Sequence, residues 1–233
     1  MLDLSTIPWS RFGSYMAISE LPEHGLCLRS VRGPGLTPWQ VTFALEVRAG
    51  AETIPYRTTA EPALLHLQTA DGAVDCCFPE ADVLRIRCTR TALRLTRLPS
   101  GYDFALQQTN GDWTITICGD FETKYRLVLL SGKLSVTAPW TGLRCSSLVF
   151  ELEPDPVTGC GELALEEVGS PAVAHRHNTS FAECVAQTES EWQRWLAATL
   201  PIPPPFNAAR TLAAYLTWSC VVAPAGQVTR PAM

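Results

Sequence analysis

His175 and His177, with Cys184 seven residues further on, are the side chains whose types first suggest chemistry, since imidazole and thiolate are the usual ligands of zinc. A zinc site also needs a fourth ligand and paired spacing, and neither accompanies them. A polar link between a strand and a helix is the expected role, and no metal or other cofactor is called for. Hydrolysis of a glycosidic bond needs two carboxylates on opposite sides of the scissile oxygen. Asp103, Asp112, Asp120, Glu122 and Glu162 have the right chemistry. Each falls at an expected turn or strand edge, so a solvated surface carboxylate is the simpler reading. The nine cysteines are odd in number, irregular in spacing and without a CxxC pair, which fits reduced, mostly buried thiols. No nucleophile elbow, phosphate loop or dinucleotide fingerprint occurs, and Gly33-Pro34-Gly35 lacks the helix such motifs require. No residue is assigned a catalytic role.

Tryptophan offers more. Sugars present apolar C–H faces that stack on aromatic rings, and the chain has seven tryptophans. Trp9, Trp39, Trp113 and Trp140 lie in the β-patterned region. Trp113 alternates like a core residue, whereas Trp39 and Trp140 each follow a proline at a strand end and are candidates for binding substrate. Packing in the core or at a domain interface is nevertheless the preferred reading for each.

The elements that would position these groups follow from the pattern of apolar residues. Between about Ser14 and Val168 the period is two. Val41, Phe43, Leu45 and Val47 oppose Gln40, Thr42, Glu46 and Arg48, and Leu148, Phe150 and Leu152 oppose Glu151 and Glu153. Turn chemistry separates the segments at Asp71-Gly72, Pro99-Ser100-Gly101, Asn110-Gly111-Asp112 and Ser131-Gly132. About twelve to fourteen such strands predict a large antiparallel β-sandwich. Arg85, Arg87, Arg90, Arg94 and Arg97 alternate with Leu84, Ile86, Leu93 and Leu95, as on the wet face of two strands. Near His175 the period changes. Ser180 and Glu183 form a capping box ahead of Phe181, Cys184, Val185, Thr188, Trp192, Trp195 and Leu196, which share one face of a five-turn helix. Pro201-Ile202-Pro203-Pro204-Pro205 is then an extended connector. With Asn207 as its expected N-cap, the run Ala208 to Val222 holds one charge, Arg210, and apolar groups around nearly its whole circumference. Such a helix packs on its own sandwich, on a partner chain or on the remainder of its own domain. We expect the last of these, with possible self-association when that remainder is absent.

The net charge of -5 argues against a nucleic-acid partner, the arginine stretch is read as a solvated face in preference to a phosphate or polyanion site, and no apolar run approaches the roughly 20 residues of a membrane span. No apolar stretch with a basic start follows Met1, so a soluble cytoplasmic protein is expected, and the acceptor pattern Asn178-Thr179-Ser180 stays unused.

Trp9-Ser10-Arg11-Phe12-Gly13-Ser14-Tyr15, the stretch from Gly25 to Gly33, Ala214-Tyr215-Leu216-Thr217-Trp218-Ser219, and the run from Val222 to Met233 resemble bacterial relatives of glycoside hydrolase family 63. That group takes in α-glucosidases and hydrolases of glucosyl- and mannosylglycerate, with neighbours described as amylo-α-1,6-glucosidases. The resemblance implies a mainly β fold: an antiparallel super-sandwich over residues 1–174, a linker helix and proline-rich connector over 175–206, and over 207–233 the first helix and loop of a truncated (α/α)6 barrel. It implies an inverting α-glycoside hydrolase whose acid and base both lie in parts of the barrel absent from this sequence. The chain itself would brace that barrel and be inactive alone, meeting a carbohydrate substrate through the barrel. Arg230, near the barrel's active-site end, joins Trp39 and Trp140 as a candidate substrate contact. The alternative is a self-contained sandwich module that binds carbohydrate or protein.

Overall fold

The computed structural model describes residues 2–30, 41–97, 101–118, 122–169 and 175–222. The strands in chain order are β1 (Met16–Leu21), β2 (Gly25–Ser30), β3 (Val41–Ala49), β4 (Glu52–Thr53), β5 (Arg57–Ala60), β6 (Leu65–Gln68), β7 (Ala73–Glu80), β8 (Val83–Thr89) and β9 (Ala92–Arg97). There follow β10 (Phe104–Gln107), β11 (Trp113–Cys118), β12 (Glu122–Ser131), β13 (Lys133–Thr137), β14 (Trp140–Thr141), β15 (Arg144–Cys145), β16 (Leu148–Glu153) and β17 (Cys160–Val168). Setting aside the two-residue strands β4, β14 and β15 leaves the upper end of the expected range. Two antiparallel sheets result, ordered β1-β2-β3-β9-β16-β13 and β10-β11-β12-β17-β8-β7-β6-β5, with β14 and β15 as a separate hairpin.

The alternation in the sequence becomes the core between the sheets. Phe43, Leu45, Val47, Leu148, Phe150 and Leu152 point inward from one sheet, and Ile115, Tyr125, Leu127, Leu163 and Leu165 from the other. Phe43 meets Tyr125 edge-on at 6.3 Å and Phe150 at 6.0 Å. Gly132 adopts φ +82°, and a Cβ there would lie 2.5 Å from the Glu153 carbonyl, so the tight β12–β13 turn requires glycine. All nine cysteines are free. Burial pushes the Cys27 thiol up to about 11 and raises those of Cys76, Cys77 and Cys88 as well, so these groups are protonated and behave as small apolar side chains.

Two helices follow, α1 (Phe181–Ala198) and α2 (Asn207–Cys220). The capping box forms as expected: the Ser180 hydroxyl accepts from the Glu183 N–H, and the Glu183 carboxylate accepts from the Ser180 N–H. α1 lies on the outer face of β7, where Phe181 and Cys184 pack on Cys77 and the Thr188 hydroxyl donates to the Phe78 carbonyl at 3.1 Å. The arginine stretch therefore differs from a uniformly wet face. Arg85 is buried, because α1 and the segment entering it cover that part of the sheet. The connector differs too. Pro204–Phe206 closes into one turn of 3-10 helix, since proline is tolerated in a first turn whose N–H groups lack partners anyway. It runs directly into α2, so Asn207 is the first helical residue and Phe206 takes the cap position without a side-chain bond.

Contrary to a helix wholly without neighbours, α2 buries one face against its own chain. Ala214, Tyr215, Trp218 and Ser219 are covered, while Leu212, Ala213 and Leu216 on the opposite face are exposed. The Tyr215 hydroxyl accepts from the Ser10 N–H at 3.3 Å, and Gly13 donates to the Val221 carbonyl at 2.8 Å, so the N-terminal arm forms the other wall. Arg210, the lone charge, reaches back to α1: its guanidinium donates to the Leu196 carbonyl at 2.6 Å and the Thr199 carbonyl at 3.2 Å. It caps the carbonyls that a helix leaves unpaired at its C-terminus, and it does so where their dipole favours a cation. Among the described residues no helix is long and apolar enough to cross a membrane.

Candidate functional site

The strand registers divide the sandwich into two unlike ends. Turns around 22–24, 50–51, 69–72, 108–112 and 154–159 close one end tightly. At the other end Val41, Arg97, Phe104, Cys118, Thr137, Leu148 and Val168 gather, with the longer connections leaving from them. The surface groups best suited to binding lie at this second end.

Its centre is a buried carboxylate. Asp103 is fully enclosed, accepting from the Arg97 Nε at 2.8 Å and from the Cys118 N–H at 2.7 Å. Arg97 in turn donates from Nη1 to the Val41 carbonyl at 2.8 Å. One acid thus ties the end of β9, the start of β3, the end of β11 and the turn before β10. The Asp103 carbonyl accepts from the Cys145 N–H at 2.9 Å, which anchors the β14–β15 hairpin to the same point. On that hairpin Trp140 is 50% exposed and rests against Phe104, with ring centroids 5.6 Å apart and planes tilted by 32°. Tyr102 and Leu143, beside Asp103 and Trp140, are exposed as well.

The expectation for Asp103 is corrected by this geometry: it is a structural anchor, and its burial is tolerated because a guanidinium and a backbone N–H satisfy it. The other candidate acids are not brought together. Asp112 lies in the turn at the far end, bonded to Asn110, and Glu162 is paired with Arg85 beneath α1. Asp120 lies outside the described residues, as does the Glu122 side chain. Of the candidate substrate contacts, Trp140 is the one described; Trp39 and Arg230 lie outside the described residues, as do Gly33-Pro34-Gly35 and almost all of the run from Val222 to Met233.

The histidines act separately. His175 donates from Nδ1 to Glu80 at 3.0 Å and from Nε2 to Asp82 at 2.9 Å, and His177 bonds Glu166 at 2.5 Å. Cys184 instead neighbours Arg85, so the three do not share one site. Glu80, Asp82 and His175 stand close enough to suggest a metal cage. However, both His175 nitrogens already face carboxylates, and an imidazolium bridging two acids accounts for the whole arrangement. Burial opposes the charge on His175, but the hydrogen bond to Asp82 and the charges of Asp82, Glu80 and Glu166 outweigh it, and its pKa is raised above the ordinary 6.5. Glu166 is also partly desolvated, yet His177 and Arg126 hold its pKa below 4.5.

A raised histidine contributes stability that is complete below its unfolded pKa and is lost as pH climbs through the folded value. A depressed carboxylate contributes stability that is complete above its own unfolded pKa and is lost on acidification through the folded one. Stability should therefore peak between roughly pH 4.5 and 6.5. In urea titrations at a series of pH values, His175→Gln should flatten the alkaline limb and leave the acid limb intact. An unchanged alkaline limb would remove His175 from the account.

The chain is thus a two-sheet antiparallel sandwich with a helical pair packed against it, and the exposed aromatics Tyr102 and Trp140 stand at the end with the longer connections. A solved structure described as the GH92 family glycosyl hydrolase CcMan5 matches 95% of this chain with a TM-score of 0.65 at 11% identity. At that identity the likeness is one of fold. The chain spans 40% of the length of that enzyme. No protein-family profile and no curated protein matches the sequence.

Proposed function

We propose that the chain is the non-catalytic sandwich region of an inverting α-glycoside hydrolase acting on α-glucosides or related sugars, of the family 63 type that its sequence resembles. Residues 1–174 form the sandwich, 175–206 the linker, and 207–233 the opening of a helical catalytic barrel that the sandwich braces. The observation that carries this reading is the division of α2: Tyr215 and Trp218 seal it to the sandwich side, while Leu212 and Leu216 offer an apolar face outward beside exposed Phe206. An enclosed inner face and an apolar outer one suit a helix shared between two bodies. A fold covering nearly all of this chain and two-fifths of a glycosyl hydrolase supports it as well. In this reading Trp39, Trp140 and Arg230 border the sugar, and the parent protein, rather than this chain, performs hydrolysis.

The test has two arms. By light scattering, the chain should associate with rising concentration, and Leu212→Glu combined with Leu216→Glu should make it monomeric without altering its circular dichroism. On p-nitrophenyl α-glucoside and glucosylglycerate the chain should show no turnover. Hydrolysis by the chain alone, or a wild-type monomer at millimolar concentration, refutes the proposal. A second reading, a self-contained carbohydrate-binding module, is favoured by the exposure of Trp140.

A further inference from the structure

We infer that Trp140 and Phe104 form a saccharide-stacking platform that binds without any catalytic partner, and that Asp103 is its positioning residue. The inference goes beyond the bracing role proposed above and takes from it the class of sugar, an α-linked glucoside.

Among the described tryptophans, Trp9, Trp192 and Trp218 are buried and Trp113 and Trp195 partly so; Trp140 alone is in the open. Its indole adds little to the core, and exposing so much apolar surface costs stability unless something covers it. Phe104 supports the ring from beneath, which fixes its plane in advance of any ligand. The open face of the indole, backed by Phe104, matches the C–H face of a pyranose unit. It is far too small for a stable protein interface, which buries on the order of 1,200 to 2,000 Å². Thr141 and Arg144 are exposed on the same hairpin and supply the polar partners that sugar hydroxyls need. Arg144 also spans to the Gly101 carbonyl at 3.5 Å, so the hairpin and the 101–104 turn hold each other.

Asp103 sets this geometry without touching the ligand. Its carboxylate fixes the turn carrying Tyr102 and Phe104, and its carbonyl fixes the hairpin carrying Trp140. Replacing it by asparagine exchanges an acceptor pair for an acceptor and a donor, which weakens its bond to Arg97 or to the Cys118 N–H. The platform should then loosen while the core between the sheets stays intact.

The experiment uses the whole chain labelled with 5-fluorotryptophan, with the Trp140 fluorine signal assigned by Trp140→Phe. Maltotriose, cellotriose and mannotriose are titrated separately. The Trp140 signal should move with maltotriose and saturate with a Kd on the order of 1 mM, and Trp140→Ala should abolish binding measured by calorimetry. Asp103→Asn should broaden the Trp140 signal and weaken binding about tenfold with unchanged far-ultraviolet circular dichroism. Movement with cellotriose or mannotriose alone upholds the platform and overturns the α-glucoside assignment. No movement with any of the three at 50 mM overturns the platform, whatever the α2 experiment shows. Unchanged binding in Asp103→Asn, or in Asp103→Glu should the asparagine variant not fold, overturns the positioning role.

Discussion

Glu162→Gln lowers the unfolding free energy of the chain by about 3–5 kcal/mol, the cost of leaving a buried charge without its partner. Arg85 is only 3% exposed, and its Nε donates to Glu162 at 2.8 Å with a second bond from Nη2 to the same oxygen. Around the pair stand Cys184, the Thr179 carbonyl and the apolar contact of Phe181 with Cys77. Little of the guanidinium stays open to water once α1 is seated, so the amide leaves a cation in a largely desolvated site with one polar acceptor in place of a carboxylate. The paired change Arg85→Met with Glu162→Leu removes both charges and fills the space with apolar groups that suit those neighbours. It should recover most of the loss. Urea unfolding followed by tryptophan fluorescence measures both. A single-mutant cost under about 1 kcal/mol would mean that the pair behaves as an exposed one, and hence that α1 does not cover it.

This pair shows why part of the fold can be read from sequence and part cannot. The alternation of Leu84 and Ile86 with Arg85 and Arg87 gives the strand and its two faces correctly, because side-chain direction along a strand is a local property. Whether the polar face is wet is not local. Arg85 is covered by a helix that begins at Phe181, and its acid is on β17, a neighbour fixed only by the register of the sheet. The capping box at Ser180 is readable for the opposite reason, since donor and acceptor lie three residues apart.

The candidate site divides in the same way. A tryptophan that follows a proline at a strand end leaves exposure open while packing is the preferred reading, and Trp140 is exposed. Asp103, two residues after a glycine and next to Tyr102, reads like any turn acid. Its partners come from the other sheet, through Arg97, and from the C-terminal end of β11, through the Cys118 N–H. Arg210 is similar: within its own segment it is a lone charge on an apolar helix, and its purpose appears only where α1 ends beside it. Circumference alone overstates how much of α2 lacks cover, because the N-terminal arm, some two hundred residues away in sequence, encloses Tyr215.

The joint between α1 and α2 is the place where a single truncation should do the most visible damage. Trp192 is 3% exposed and meets Tyr215 at 5.9 Å and Trp218 at 5.7 Å, both edge-on. Phe12 and Trp195 extend the stack on the outer side. Trp192→Ala removes the ring at the centre of this group, and large-to-small changes of this kind cost about 3–5 kcal/mol. These rings are continuous with the sandwich core but form its helical margin, so the loss should fall first on the local equilibrium that releases α2 from the arm and from α1. Amide exchange in Ala214–Cys220 should accelerate by two to three orders of magnitude while β3, β12 and β17 keep their protection. Limited proteolysis should cut the connector near Leu200 early. Trp192→Phe, which keeps an aromatic edge in place, should restore much of the protection. If exchange instead accelerates equally in the sheets, α2 and the sandwich unfold as one unit, and α2's outward face cannot act as a separable joint to a second body.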